Sequence, residues 1–258
     1  MNVRRILVVT FSAVLALAAF ASPARATDVT PTFSSGSLAA SVHFVTVGTT
    51  LTITLTNTSG ADVTQPADVL TAVFFNCTGC GTLTPVSAIT SGPTYTDTTI
   101  TYATGTNVGG EWAYAAGIGG GPGGATQGIS SSGFNFFGNG NFNGSDLDAP
   151  AAVDGLNFGI VPDADNVATG NGGTAGRPLT HHDVIFTLTC SVACGSATFN
   201  NVSVQYGTSL SETNIGGGSG GGSGQTLVPE PTSLLLFGSG LAMTAYRARR
   251  KRQQQKNS

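Results

Sequence analysis

Four cysteines stand in two close pairs, Cys77-Thr78-Gly79-Cys80 and Cys190-Ser191-Val192-Ala193-Cys194. Four thiolates at such spacings can hold a zinc ion, whereas in an oxidising compartment the same residues form disulfides. Bridges within each pair close tiny loops and contribute roughly 2 kcal/mol apiece by chain entropy. A bridge between the pairs closes about 110 residues and contributes roughly 5 kcal/mol, so proximity favours one pairing and stability the other. The CxxC spacing of Cys77 and Cys80 is shared with redox motifs, but no βαβ pattern surrounds it.

Asp146, Asp148, Asp154, Asp163 and Asp165 fall within 20 residues, interleaved with Gly and Asn. Carboxylates and loop carbonyls close together suit calcium, the one cofactor the sequence leaves open. The spacing follows neither an EF-hand nor a calcium-binding nonapeptide, so Asx turns are the competing use. His181-His182-Asp183 is the only His/Asp cluster. Gly128-Ile129-Ser130-Ser131-Ser132-Gly133 misses the nucleophile-elbow pattern, because Ser132 occupies the place of its second Gly. Paired acids across a cleft would suffice for a secreted glycoside hydrolase, yet Glu111 and Glu212 are the only glutamates between the two ends. No catalytic residue is assigned, and the chain is read as a non-enzyme.

The elements that must position these groups are strands. Leu51-Thr52-Ile53-Thr54-Leu55-Thr56 puts three large apolar side chains on one face and three threonines on the other. Val42 to Val47, Val69 to Phe75, Thr98 to Ala103, Val184 to Thr189 and Val202 to Tyr206 behave similarly, with Gly, Asn or Pro between them. High glycine, few charged residues and no amphipathic helical stretch predict an all-β domain, a single β-sandwich of jelly-roll-like kind. Gly109 to Gly176 is rich in Gly, Asn, Asp and Phe, and is expected to be one long ordered loop region. Its aromatics, Trp112, Tyr114 and those of Phe134-Asn135-Phe136-Phe137 among them, are expected to anchor it on the sandwich.

Both ends carry targeting patterns. Met1 to Ala26 combines Arg4 and Arg5, an apolar run from Ile6 to Ala21, and a small-x-small site at Ala24-Arg25-Ala26, so residues 1–26 are read as a cleavable signal peptide. At the other end a Gly/Ser linker over residues 216–227 leads to Val228-Pro229-Glu230-Pro231, then an apolar run over 232–246. As a helix those 15 residues span roughly 22 Å against a hydrocarbon core of about 30 Å. Arg247 and Arg249 would therefore snorkel. With Arg250, Lys251 and Arg252 they place the C-terminal tail, 253–258, in the cytoplasm and the body, 27–215, outside. Export argues for disulfides among Cys77, Cys80, Cys190 and Cys194.

Between Thr27 and Leu227 Arg177 is the only Lys or Arg, against 12 acids, a net charge of −11. Nucleic acid is excluded as a partner by that field.

The ordered tail, Val-Pro-Glu-Pro over 228–231, the apolar stretch with Gly238 and Gly240, and then the basic cluster, resembles the PEP-CTERM sorting signal of exosortase substrates. That resemblance implies processing by exosortase at the inner membrane after passage through the export machinery and signal peptidase. It also implies a destination at the cell surface or in the extracellular matrix, in bacteria that make exopolysaccharide and biofilm. The body resembles the XDD-type exosortase-dependent surface proteins, in Leu70-Thr71-Ala72-Val73-Phe74-Phe75, Gly128 to Gly133, Leu147-Asp148-Ala149-Pro150, Asp154 to Ile160 and Gln205-Tyr206-Gly207-Thr208. That likeness supplies no catalytic residue. A calcium- or carbohydrate-binding surface module is the alternative reading for the Asp/Asn/aromatic loops.

Overall fold

The computed structural model describes residues 26–147, 153, 155–168 and 173–216. The signal region and the whole sorting tail lie outside the described residues. Within them the chain is all-β, apart from three single-turn 3₁₀ segments, at Pro66–Asp68, Gly109–Glu111 and Pro122–Gly124. The first strands are β1 (Ala26–Val29), β2 (Thr32–Ser35), β3 (Leu38–Val47), β4 (Thr50–Asn57), β5 (Leu70–Thr78), β6 (Leu83–Thr90), β7 (Thr94–Thr96) and β8 (Thr99–Tyr102). After them come β9 (Ala113–Ala116), β10 (Gln127–Ser130), β11 (Ile160–Val161), β12 (Pro178–His181), β13 (Asp183–Cys190), β14 (Thr198–Tyr206) and β15 (Asn214–Gly216).

One sheet runs β1-β3-β4-β13-β6, with β2 also on β3. The alternation read from the sequence sets its faces: Leu51, Ile53 and Leu55 of β4 are buried, and the threonines between them face outward. Two-residue turns at Gly36-Ser37 and Gly48-Thr49 fix the β2–β3 and β3–β4 registers, each with its glycine at positive φ. Both β1 and β2 pair along the same edge of β3, separated at Pro31, which has no amide hydrogen to donate but accepts one from Val42 N. The first strand is pinned by Thr27, whose amide donates to Thr46 Oγ1 at 3.0 Å and whose hydroxyl donates to Ala197 O at 3.0 Å.

The second sheet runs β15-β14-β5-β11-β12-β7-β8, and β10 joins it on β5 with β9 outside. Here one expectation is corrected. The stretch from Gly109 to Gly176 is not a loop throughout, because it contributes β9, β10 and β11 to this sheet. Small residues hid β9 and β10, while β11 is only the two residues Ile160 and Val161. Gly128 sits in β10 because a Cβ there would lie 2.9 Å from Phe74 and 3.0 Å from Phe137. The expected anchoring does occur: Phe134, Phe136 and Phe137 stand around Phe74 on the outer face, with ring centroids 5.9–6.4 Å from it.

The two sheets bury one shared core, with Phe44, Ile53, Val184, Phe186 and Leu188 from the first and Val73, Phe75, Ile129, Ile160 and Val204 from the second. Phe44 meets Phe75 edge-on at 5.6 Å across the interface. That is the packing of a sandwich. β11–β12 is the one parallel pair among the named strands, whose other pairings are antiparallel. Phe186 is fully buried and contacts Trp112 at 4.9 Å and Phe142 at 5.4 Å. Tyr206, buried between the sheets, donates its hydroxyl to Ala39 O at 2.9 Å.

Replacing Phe186 with Ala is expected to cost about 3–5 kcal/mol, whereas Thr187→Ala on the outward face should cost about 0.5 kcal/mol or less. Tyr206→Phe should cost about 1 kcal/mol through the loss of that one hydrogen bond, Ala39 O keeping the Thr58 amide as its donor. Urea denaturation of the purified chain checks all three.

Candidate functional sites

The cysteines form disulfides within each pair, Cys77–Cys80 and Cys190–Cys194, with Cα atoms 5.8 and 6.3 Å apart. Each pair rides on its own turn, the first between β5 and β6 and the second between β13 and β14, so proximity decides the pairing. The two turns are neighbours: Ser191 N donates to Thr82 O, and Ser191 Oγ accepts from Thr82 N. They also hold the β3–β4 turn, through Cys190 N to Thr49 O and Cys194 N to Gly48 O. The thiolate zinc site that this spacing permits is therefore replaced by a covalently stapled end of the sandwich.

The five aspartates do not act together among the described residues. Asp148 and Asp154 lie outside them. Asp146 is exposed, with its backbone packed on Gly110, where an added Cβ would meet Asp146 Cα at 2.6 Å. Asp163 is exposed, and its carbonyl oxygen lies 3.3 Å from His181 Nδ1. Asp165 accepts a 2.6 Å hydrogen bond from Val63 N. No group of three or more His, Cys, Asp or Glu side chains is gathered to hold a metal ion among the described residues.

His181, His182 and Asp183 mark the passage from β12 to β13. His182 turns the chain with φ of 75°. Ser91 Oγ donates to Asp183 Oδ1, and His182 Nε2 lies 3.5 Å from Asp183 Oδ2. A serine nucleophile needs the histidine between itself and the acid, and here the serine bonds to the acid. Ser130, Ser131 and Ser132 are buried and donate to backbone carbonyls, Ser130 to Thr71 O at 3.0 Å and Ser132 to Gly155 O at 2.8 Å. These serines tie β10 and its exit to the sheet.

A cavity of about 280 Å³ opens on the outer face of the second sheet, over β12 and β7. Val63 and Leu179 contribute apolar walls, Tyr95 a half-buried ring, and Asp97, Asp165 and Arg177 charge. Asp97 stands at positive φ, 52°, in the β7–β8 turn, where Gly176 N donates to its Oδ1 at 2.7 Å. Of these residues the sequence reading had singled out Asp165, and Arg177 only as the body's lone cation. The others, Val63, Tyr95, Asp97 and Leu179, come from three separate segments, and no local pattern unites them. Burial raises the Asp165 carboxyl above its ordinary 3.8, opposed by the Val63 amide and by His181. Burial likewise raises Asp183, against His182.

A carboxyl raised in the folded state binds its proton more tightly there, so its ionisation costs stability as pH climbs from 3.8 through the raised value. Asp165→Asn keeps an acceptor for Val63 N and removes the charge. It is expected to raise the denaturation midpoint at about pH 7 and to leave it unchanged at about pH 3, which thermal melts at the two pH values check.

Val228, Pro229, Glu230 and Pro231, and the stop cluster Arg247, Arg249, Arg250, Lys251 and Arg252, lie outside the described residues, as does the expected span over 232–246. Among the described residues no helix is long and apolar enough to cross a membrane. Compared with known families, residues 227–251 match the PEP-CTERM protein-sorting motif. Comparison with curated proteins and with solved structures finds no match. The matched segment contains the Val-Pro-Glu-Pro motif and the basic cluster as far as Lys251, and it is the signal of an exosortase substrate, an exported protein transiently anchored at the membrane.

Proposed function

We propose that this chain is a non-enzymatic protein of the cell surface or extracellular matrix, delivered by its two ends and working in association with exopolysaccharide. The observation that carries the reading is the sorting motif at residues 227–251. The signal peptide over 1–26 starts export and is removed before Thr27. The tail then holds the body in the periplasm until exosortase cuts near Pro229 and passes it outward. Two disulfides in the body accord with an oxidising destination. The likeness of the body to XDD-type exosortase-dependent proteins points the same way.

A body of net charge −11 with a single basic residue stays soluble and avoids anionic lipid headgroups, which suits a protein that is released from the membrane. The basic cluster that would bind those headgroups sits wholly on the tail that is cut off.

Intact mass of the protein from the envelope and medium of its native host, with and without the exosortase, tests this. Loss of the tail only when exosortase is present is expected, and the Pro229→Ala/Glu230→Ala double variant should keep the tail in its presence. A mature form that retains Arg247 to Ser258 in the wild-type host would overturn the reading in favour of a permanent single-pass anchor.

A further inference from the structure

The cavity on the outer face of the second sheet is lined by the body's only Lys or Arg, Arg177, together with two of its carboxylates. Asp97 and Asp165 each commit Oδ1 to a backbone amide, from Gly176 and Val63, which holds both carboxylates in place. Neither Oδ2 takes a hydrogen bond from the described residues. Arg177 is exposed and donates one long bond, 3.4 Å, to Asn157 Oδ1, so most of its five N–H donors stay open. Thr98 adds a hydroxyl, and Tyr95 adds a ring backed by His181 at 4.7 Å.

His181 backs the Tyr95 wall from within. It lies on the same side of β12 as Leu179, which lines the cavity, is 6% exposed, and its Nε2 takes no hydrogen bond among the described residues.

The chemistry narrows the ligand class. An anion would face two carboxylates within a body of net charge −11. A metal ion would find fewer than three grouped ligands among the described residues. A purely apolar molecule would strip water from Asp165 and Arg177 and give nothing back. A neutral ring bearing several hydroxyls meets every requirement, since each hydroxyl both donates to a carboxylate and accepts from a guanidinium. A volume of about 280 Å³ holds one such ring. We infer that this cavity binds a single neutral sugar residue, with Asp97 and Asp165 accepting from its hydroxyls, Arg177 donating to them, and Tyr95 covering its apolar face.

The inference deepens the surface reading by naming a ligand class, yet its test does not depend on sorting. Full-length chain, solubilised in a sugar-free zwitterionic detergent, is titrated with glucose, galactose, mannose and glucuronate by saturation-transfer NMR. At least one neutral hexose should saturate with a dissociation constant of the order of 1 mM. Asp165→Asn, Asp97→Asn and Arg177→Ala should each weaken it about tenfold, the loss that follows from one charged hydrogen bond. Both Asn variants keep their backbone amide contacts, and thermal melts certify the fold. Val192→Thr, exposed on the disulfide-bearing turn, should bind like wild type. No saturable binding of a neutral hexose up to about 50 mM, glucuronate binding tighter than every neutral sugar, or saturation that the three cavity variants leave unchanged would each overturn the inference. Sugar binding by a chain that keeps its tail in the host would sink the sorting reading alone; tail removal without sugar binding would sink this one alone.

Discussion

The constraint on which the rest depends is the register of the inward rows, Leu51, Ile53 and Leu55 on β4 beside Val184, Phe186 and Leu188 on β13. A slip of one residue would turn these rows to solvent and bring threonines into the core. Against that loss the chain has two-residue turns at Gly48-Thr49 and Gly36-Ser37, and the length of the β4–β13 pairing itself. Phe186 then extends the constraint beyond its own sheet, because Trp112 and Phe142 of the long connecting region close on it. Trp112 and Phe142 are thus placed by one aromatic position on β13, while β10 and the Phe134 to Phe137 stretch between them are held on β5.

The sequence was legible where side chains alternate in size. β3, β4, β5, β8, β13 and β14 carry large residues at every second position, and each overlaps a stretch read from the pattern. β9 and β10 escaped because their close contacts exclude size: Ala113, Ala115 and Gly128 lie in strands whose neighbours supply the bulk, chiefly Phe74 and Phe137. The disulfides were legible as chemistry but not as connectivity, since loop entropy and proximity pull in opposite directions and only the turns decide. The cavity was the least legible. Tyr95, Asp97, Asp165 and Arg177 are brought together by the β7–β12 pairing and by the 62–68 and 162–168 segments, a relation that no spacing records.

Charge is partitioned along the chain in a way that matches its two tasks. Lys and Arg stand almost wholly at the ends, as the proposed topology requires, while the body holds acids, of which Asp28, Asp62, Asp97, Asp146 and Asp163 are exposed. Asp165 is half-buried and held against its own desolvation by the Val63 amide. Polar groups kept at a cost beside a cavity are a usual mark of a working surface, whereas Ser130 of β10 and Ser132 at its exit, more deeply buried, donate to carbonyls and do structural work.

The stapled end of the sandwich also bears on how the protein reaches its native state. Four cysteines allow three pairings, and mispaired bridges are slow to undo without an isomerase. In this chain each cysteine's partner lies three or four residues away, while the two pairs are about 110 residues apart. Exported N-terminus first, as the signal-peptide reading proposes, the chain would present Cys77 and Cys80 to the oxidant long before Cys190 emerges. Order of emergence would then favour the same bridges that proximity within each turn selects.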